Sequence, residues 1–318
     1  MHVPQTIVFG RFLASLPGFR GYCFDMSPAS QALARMVRAI GAESLNAYGV
    51  VVRVGDDEVE HRWRSDDRVN LYSVSKGVSA LAAGIAIDEG VLEEDSRVAD
   101  HFPSFTFGSG AGATSFRQLL TMTSGIDFEW FGHEPIPWAD LAQEMLRRPA
   151  RDAGLAFQYS DASYYTAMRM LATRVGDVRD WLMPRLFEPL GIHNPQWHRC
   201  PRGAIVSGSG LELRTHELAR IGRLLRDGGV WGDQRLISEN WIRSMHGRWT
   251  NTGGPSFWAR YGLGAWDGPH DGWRLDGLYG QYVYISEVHS AVVTITAHEE
   301  ARDYRLAEIA AEGVAQIS

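Results

Sequence analysis

Hydrophobic and polar positions along the chain change period several times, and each change predicts an element. Across residues 27–41, Leu33, Met36, Val37 and Ile40 recur on one helical face. Ser27 stands as the N-cap, Pro28 in the first turn and Gly41 at the end, so the segment reads as an amphipathic helix. Residues 47–64 switch to β-branched alternation broken at Gly55-Asp56-Asp57, which predicts a hairpin. Residues 74–90 are apolar on every side up to Asp88, the pattern of a buried helix whose small residues admit close neighbours. Helical spacing then runs through 116–122, 138–146, 164–175 and 218–225. Strand signals return at 258–266, 281–286 and 291–297, before a closing helix that carries Leu306, Ile309, Ala310 and Ile317. The order predicts an α+β fold: an antiparallel sheet built from both chain ends, flanked by N- and C-terminal helices, with an all-helical lobe inserted. The expected division is a sheet lobe from 1–90 and 246–318, a helical lobe over 91–245, and a site between them.

Composition narrows the class. The 318 residues are 45% hydrophobic and carry a formal charge of −7, which gives no footprint for nucleic acid or an anionic membrane surface. No stretch approaches the ~20 apolar residues of a spanning helix. Residues 1–20 lack a basic start followed by an apolar run, so no signal peptide is expected. Cys23 and Cys200 are far apart with no paired-ligand spacing, which speaks against a disulfide framework or thiolate metal site and suits a cytoplasmic location. His193 and His198 flank Pro195 as ordinary loop residues, and no histidine pattern suggests a metal. No cofactor is expected, and oligomeric state is not legible.

One count stands out: of the 31 basic residues, only Lys76 is a lysine. A guanidinium stays protonated in a protein, whereas an ammonium can be tuned into a base. The sole lysine is therefore a candidate for work that arginine cannot do. Ser73-Val74-Ser75-Lys76 places a serine three positions earlier, on the same face of the helix start. There the helix dipole and free backbone N–H groups favour a nucleophile that becomes anionic in passing. Tyr159-Ser160-Asp161 precedes the helical pattern at Tyr164; a phenol there could shuttle a proton, and an adjoining cation would lower its pKa. Asp161 is also well suited to cap that helix. Gly277-Leu278-Tyr279-Gly280-Gln281 is read as opening a late strand where backbone lies close to something else. A free N–H there would pair with the Ser73 N–H around an oxyanion.

Taken together, Ser-x-x-Lys, a Tyr-x-Asp some way downstream and a late glycine motif resemble the serine β-lactamase and penicillin-binding protein superfamily. The similarity is closest to its class C-like esterases, peptidases and nylon-oligomer hydrolases. Gly90-Val91-Leu92-Glu93-Glu94-Asp95-Ser96-Arg97-Val98, Phe116-Arg117-Gln118-Leu119-Leu120-Thr121-Met122-Thr123-Ser124-Gly125 and Leu218-Ala219-Arg220-Ile221-Gly222 read like its linking segments, and the likeness runs over 47–297. The resemblance implies Ser73 as acylated nucleophile, Lys76 as its base, Tyr159 as proton shuttle, and the Ser73 and Leu278 amides as the oxyanion hole. Asp161, Gly277, Tyr279 and Trp130 are the expected substrate contacts, Trp130 from an aromatic loop that also holds Phe128 and Phe131.

Two departures bear on substrate. Leu275-Asp276-Gly277 stands where the family often has Lys or His before Thr-Gly, so the cation that receives a penicillin carboxylate is missing. Asp161 stands where β-lactamases usually hold Asn; a carboxylate only accepts hydrogen bonds and favours a protonated lysine. The expectation is a serine hydrolase acting on a small carboxylic ester or amide. A β-lactamase or D-alanyl-D-alanine peptidase, and a non-catalytic ligand-binding relative, are the alternatives.

Overall fold

The computed structural model describes residues 26–132 and 135–317; residues 1–20 and Cys23 lie outside them. Helix α1 (Pro28–Ala42) begins where expected, Ser27 Oγ accepting from the Ser30 N–H at 3.2 Å. Strands β1 (Ala47–Val54) and β2 (Asp57–Arg62) form the hairpin, reversed at Gly55. Six later strands complete one antiparallel sheet: β3 (Thr250–Asn251), β4 (Arg260–Tyr261), β5 (Trp266–Asp267), β6 (Trp273–Gly277), β7 (Gln281–Ser286) and β8 (Ala291–Ala297). Their order is β2-β1-β8-β7-β6-β5-β4-β3, so the first hairpin joins the C-terminal strands directly, with Val51 opposite Thr294 and Val283 opposite Thr294 on the other side.

The central strands are buried on both faces, and their period of two divides them between two cores. Tyr282, Tyr284, Val293 and Ile295 meet α1 and the last helix, α8 (Asp303–Ala315); Val283, Ile285 and Val292 belong to the larger core on the opposite side. That second core is organised by helix α2 (Val74–Asp88), buried from Val74 through Ala86. Its glycines let neighbours in: a Cβ at Gly84 would lie 2.2 Å from the Trp241 ring, whose Nε1 donates to the Ala80 carbonyl at 2.8 Å.

The helical segment supplies α3 (Phe116–Leu120), α4 (Leu141–Leu146), α5 (Asp161–Val175), α6 (Thr215–Arg226) and α7 (Glu239–Gly247). It is not purely helical: Leu211–Leu213 pairs with Val69–Asn70 and Gln196–Trp197 in a small sheet. Helix α6 packs on the large sheet, where a Cβ at Gly222 would meet Val283 and Val292 at 2.8 Å. The sheet thus draws a helix from the segment expected to stand apart from it.

Two strand expectations are corrected. Residues 258–266 are not one strand but β4 and β5 joined through Gly262 and Gly264. Gly264 is left-handed (φ +67) and lies where a Cβ would be 2.6 Å from the Lys76 carbonyl, so the chain turns back to cover α2. Residues 277–281 span a strand end, a turn and a strand start: Gly277 ends β6, residues 278–280 form the turn with Tyr279 and Gly280 left-handed, and Gln281 opens β7. Strand β6 itself, a four-residue alternation ending at Gly277 with Arg274 and Asp276 on one face, was not among the expected strands.

Candidate active site

Ser73 is the N-cap of α2, yet its hydroxyl makes no capping bond. It accepts instead from Lys76 Nζ at 2.8 Å. Nζ is 1% exposed by residue and meets two further oxygens, donating to the Gly208 carbonyl at 2.9 Å and touching Asp161 Oδ1 as an ion pair. Three acceptors around one nitrogen match the three N–H bonds of an ammonium. Burial alone would lower the Lys76 pKa, but the neighbouring Asp161 carboxylate and Tyr159 outweigh it and hold the group above its ordinary value. The resting lysine is a cation.

Asp161 opens α5, but Ser160 does the capping, its Oγ accepting from the Ala162 N–H at 3.3 Å. The aspartate is released to face inward. Its Oδ2 accepts from the Gly132 N–H at 2.7 Å, while Oδ1 has the ammonium as its only partner among the described residues. Only glycine fits at Gly208, since a Cβ there would lie 2.8 Å from that of Asp161. The residue is one of the alternating small positions Ser207-Gly208-Ser209-Gly210, the only signal in the sequence for this carbonyl acceptor.

Tyr159 neighbours both Ser73 and Lys76, and Nζ sits 4.6 Å from its ring centre. Phe131, Phe157, Tyr261 and Trp266 surround the ring at centroid distances of 6.4, 6.5, 5.8 and 5.4 Å. Burial raises its pKa; the lysine pulls it down as expected but is outweighed, so the group stays above its ordinary value. The phenol is neutral at rest.

The turn at 277–280 reaches the nucleophile from the sheet side. A Cβ at Gly277 would stand 2.4 Å from the Leu71 carbonyl, two residues before Ser73, so close backbone approach explains that glycine. Leu278 follows, 41% exposed. Neither the Ser73 nor the Leu278 N–H donates to a protein group among the described residues. Tyr279 lies beside them with its ring against Tyr72, and Leu275 is buried against Gly77 of α2.

Trp130 is the exception among the expected contacts. Its side chain is 2% exposed and packed in the core, so it is no wall of an open cleft. It acts through its backbone: the carbonyl accepts from the Asp161 N–H at 2.9 Å and the N–H donates to Ser160 Oγ at 3.2 Å. The residue borders a cavity of about 420 Å³ lined also by Ile136, Cys200 and Val206. Cys200 is a free, buried thiol 3.2 Å from the Tyr165 hydroxyl.

An antiparallel sheet between helical layers, with Ser-x-x-Lys at the start of its central helix and a backbone turn closing over the serine, defines a β-lactamase/transpeptidase-like protein. The chain belongs to the Beta-lactamase family, whose sequence model matches residues 33–316. It is 26% identical over 203 residues to a 6-aminohexanoate-dimer hydrolase of Paenarthrobacter ureafaciens, a match covering 57% of this chain and 51% of that protein. The chain thus spans about half the length of that curated relative. A family VIII carboxylesterase aligns with a TM-score of 0.71 at 17% identity, covering 91% of this chain and 98% of its own. A class C β-lactamase in complex with cefoxitin aligns with a TM-score of 0.70 at 16% identity, covering 89% and 97%. No helix among the described residues is long and apolar enough to cross a membrane.

Proposed function

We propose that the protein is a serine hydrolase that cleaves a small carboxylic ester through an acyl-enzyme on Ser73. The observation that carries this reading is Ser73 Oγ held 2.8 Å from the only lysine of the chain, beside two backbone N–H groups with no protein partner among the described residues. Ser73 Oγ forms a bond to the acyl carbon while its proton passes to Lys76 and Tyr159, and the carbonyl oxygen takes up negative charge between the Ser73 and Leu278 amides. Collapse breaks the bond to the leaving oxygen, which receives the proton. Water then attacks the acyl carbon, the acid leaves, and a proton returns to Ser73. The base must be neutral lysine, so the cation seen at rest has to lose a proton first. Asp161, in contact with Nζ, is the nearest acceptor.

Leu275 supports an ester over a carboxylate-bearing lactam. It is buried against Gly77 where related sites carry a cation, so no positive group is in place there to receive a substrate carboxylate. The likeness to a 6-aminohexanoate-dimer hydrolase favours a linear amide as the second reading.

The test is hydrolysis of p-nitrophenyl acetate and butyrate, the linear 6-aminohexanoate dimer and nitrocefin by the parent and by Ser73→Ala. Ester turnover by the parent, lost on the order of a thousandfold in the variant, with an acyl adduct on Ser73 by intact mass, is the expected result. A variant as fast as its parent refutes the assignment. Dimer hydrolysis without ester turnover selects the amide, and efficient nitrocefin turnover selects the lactam.

A further inference from the structure

The two amides assigned to the oxyanion hole come from segments far apart in sequence, and the structure shows what joins them. Tyr72 directly precedes Ser73, and Tyr279 directly follows Leu278. Both are in the left-handed region, at φ +46 and +65, which a tyrosine occupies only when its surroundings hold it there. Their rings meet edge to face, centroids 5.2 Å apart and planes at 84°, a favoured aromatic geometry.

Each partner is anchored from behind on its own side. The Tyr72 N–H donates to Asn70 Oδ1 at 2.9 Å, and its carbonyl accepts from the Ser75 N–H at 3.0 Å in the first turn of α2. The Tyr279 N–H donates to Asp303 Oδ2 at 3.2 Å, its carbonyl accepts from the Glu299 N–H at 3.0 Å, and its ring stacks on His298 at 4.5 Å. The ring contact is thus the side-chain link between the start of α2 and the β6–β7 turn, one residue removed from each proposed oxyanion donor.

We propose that Tyr72 and Tyr279 form an aromatic clasp that fixes the spacing of the Ser73 and Leu278 amides, making both tyrosines positioning residues for the oxyanion hole. This rests on the serine-hydrolase reading. An oxyanion hole works only when both donors sit within hydrogen-bond distance of the oxygen as its charge develops, and a small displacement is felt mainly in the transition state. The clasp therefore acts on kcat and leaves ground-state binding alone. A wall that merely contacts substrate would act on KM.

The experiment compares the parent with Ser73→Ala, Tyr72→Gly, Tyr72→Phe, Tyr279→Ala, Tyr279→Phe and the Tyr72→Gly/Tyr279→Ala double variant on a p-nitrophenyl ester. Glycine adopts left-handed backbone freely, so Tyr72→Gly removes the ring without adding strain and separates misfolding from misplacement. Expected is a fall in kcat of about tenfold to a hundredfold for Tyr72→Gly and Tyr279→Ala with KM little changed. Phenylalanine keeps near-parental kcat, because the contact needs the ring and not the hydroxyl. The double variant is no slower than the slower single one, since the clasp is lost once. A boronic acid that mimics the tetrahedral intermediate weakens by the same factor as kcat/KM. An active parent with dead Ser73→Ala, but with tyrosine variants altered only in KM or slowed additively, overturns the clasp and leaves the hydrolase reading intact. A Ser73→Ala variant as active as the parent overturns both.

Discussion

Two buried ion pairs lie on opposite sides of the sheet end that carries the site, and they are built for different work. Lys76 and Asp161 sit between α2 and α5, with the ammonium 2.8 Å from a serine oxygen. Arg274 and Asp276 lie on β6, their side chains on the face away from Gly77 and Leu275, with Nε donating to Asp276 Oδ2 at 2.9 Å. Arg274 is fully buried, its Nη1 and Nη2 donate to the Asp267 and Phe257 carbonyls, and its guanidinium lies 3.7 Å from the Phe257 ring centre. A guanidinium so enclosed cannot give up a proton; it is a fastener for the loop carrying Phe257. The lysine is the same charge in a group whose proton can leave, placed beside the alcohol that the proposed mechanism deprotonates. In a chain that uses arginine at every other basic position, the chemistry separates the two sites more sharply than burial does.

The largest effect that sharpens this contrast is Lys76→Arg. The positive charge beside Asp161 is kept and basicity is lost, so ester turnover should fall on the order of a thousandfold or more while thermal unfolding remains cooperative. A variant with more than about a tenth of parental kcat would show that only the charge matters, which would make the two pairs equivalent.

Arg274→Met is the opposite case. Truncating one member of a buried pair strands the other, at a cost of about 3–5 kcal/mol, and here leaves Asp276 and two carbonyls without their donor. Asp276, 13% exposed at its side chain, already has its pKa raised by burial, with Arg274 pulling the other way. A raised carboxyl favours the folded state when protonated and disfavours it when charged. The variant should therefore be least stable at neutral pH and regain part of the loss as pH falls toward the raised pKa. Measured by chemical denaturation, that recovery should coincide with nearly parental turnover by the fraction that remains folded. Stability independent of pH would mean that Asp276 does not carry the charge Arg274 holds.

These contrasts mark what the sequence could and could not disclose. Elements with one period and clear ends, such as α1 behind Ser27-Pro28 and the Gly55 hairpin, were readable because local sterics and one buried face determine them. Ser73, Lys76 and Tyr159 were readable because their residue types carry chemistry at a recognisable spacing. Strand β6 was not, because its alternation runs over only Trp273-Arg274-Leu275-Asp276 between two glycines, and its charged face is tolerated in a buried strand only as a pair bonded to each other. Trp130 misled for a related reason. An aromatic near a motif reads as a cleft wall, and only the fold shows its ring buried and its backbone holding Ser160 and Asp161. The carbonyl of Gly208 and the N–H of Gly132, which complete the cage around Lys76 and Asp161, have no side chain to announce them.

The smallest effect tests the cage itself. With Lys76 held as a cation, the neutral amine is a minor form that grows tenfold per pH unit below the lysine pKa, so kcat/KM for an ester should climb as pH rises through the neutral range. Asp161→Asn removes the negative partner. If the asparagine Oδ1 keeps the Gly132 N–H, its Nδ2 faces Nζ and can donate only to the lone pair of a neutral amine. The carboxylate no longer opposes burial, the lysine pKa falls, and the rising limb of the pH profile moves to lower pH, which raises kcat/KM at neutral pH. The shift should appear in kcat/KM and leave Lys76→Arg as inactive as before when the two changes are combined. A limb that stays in place would assign the titration to a group other than Lys76, and Asp161 would then be a structural partner like Asp276.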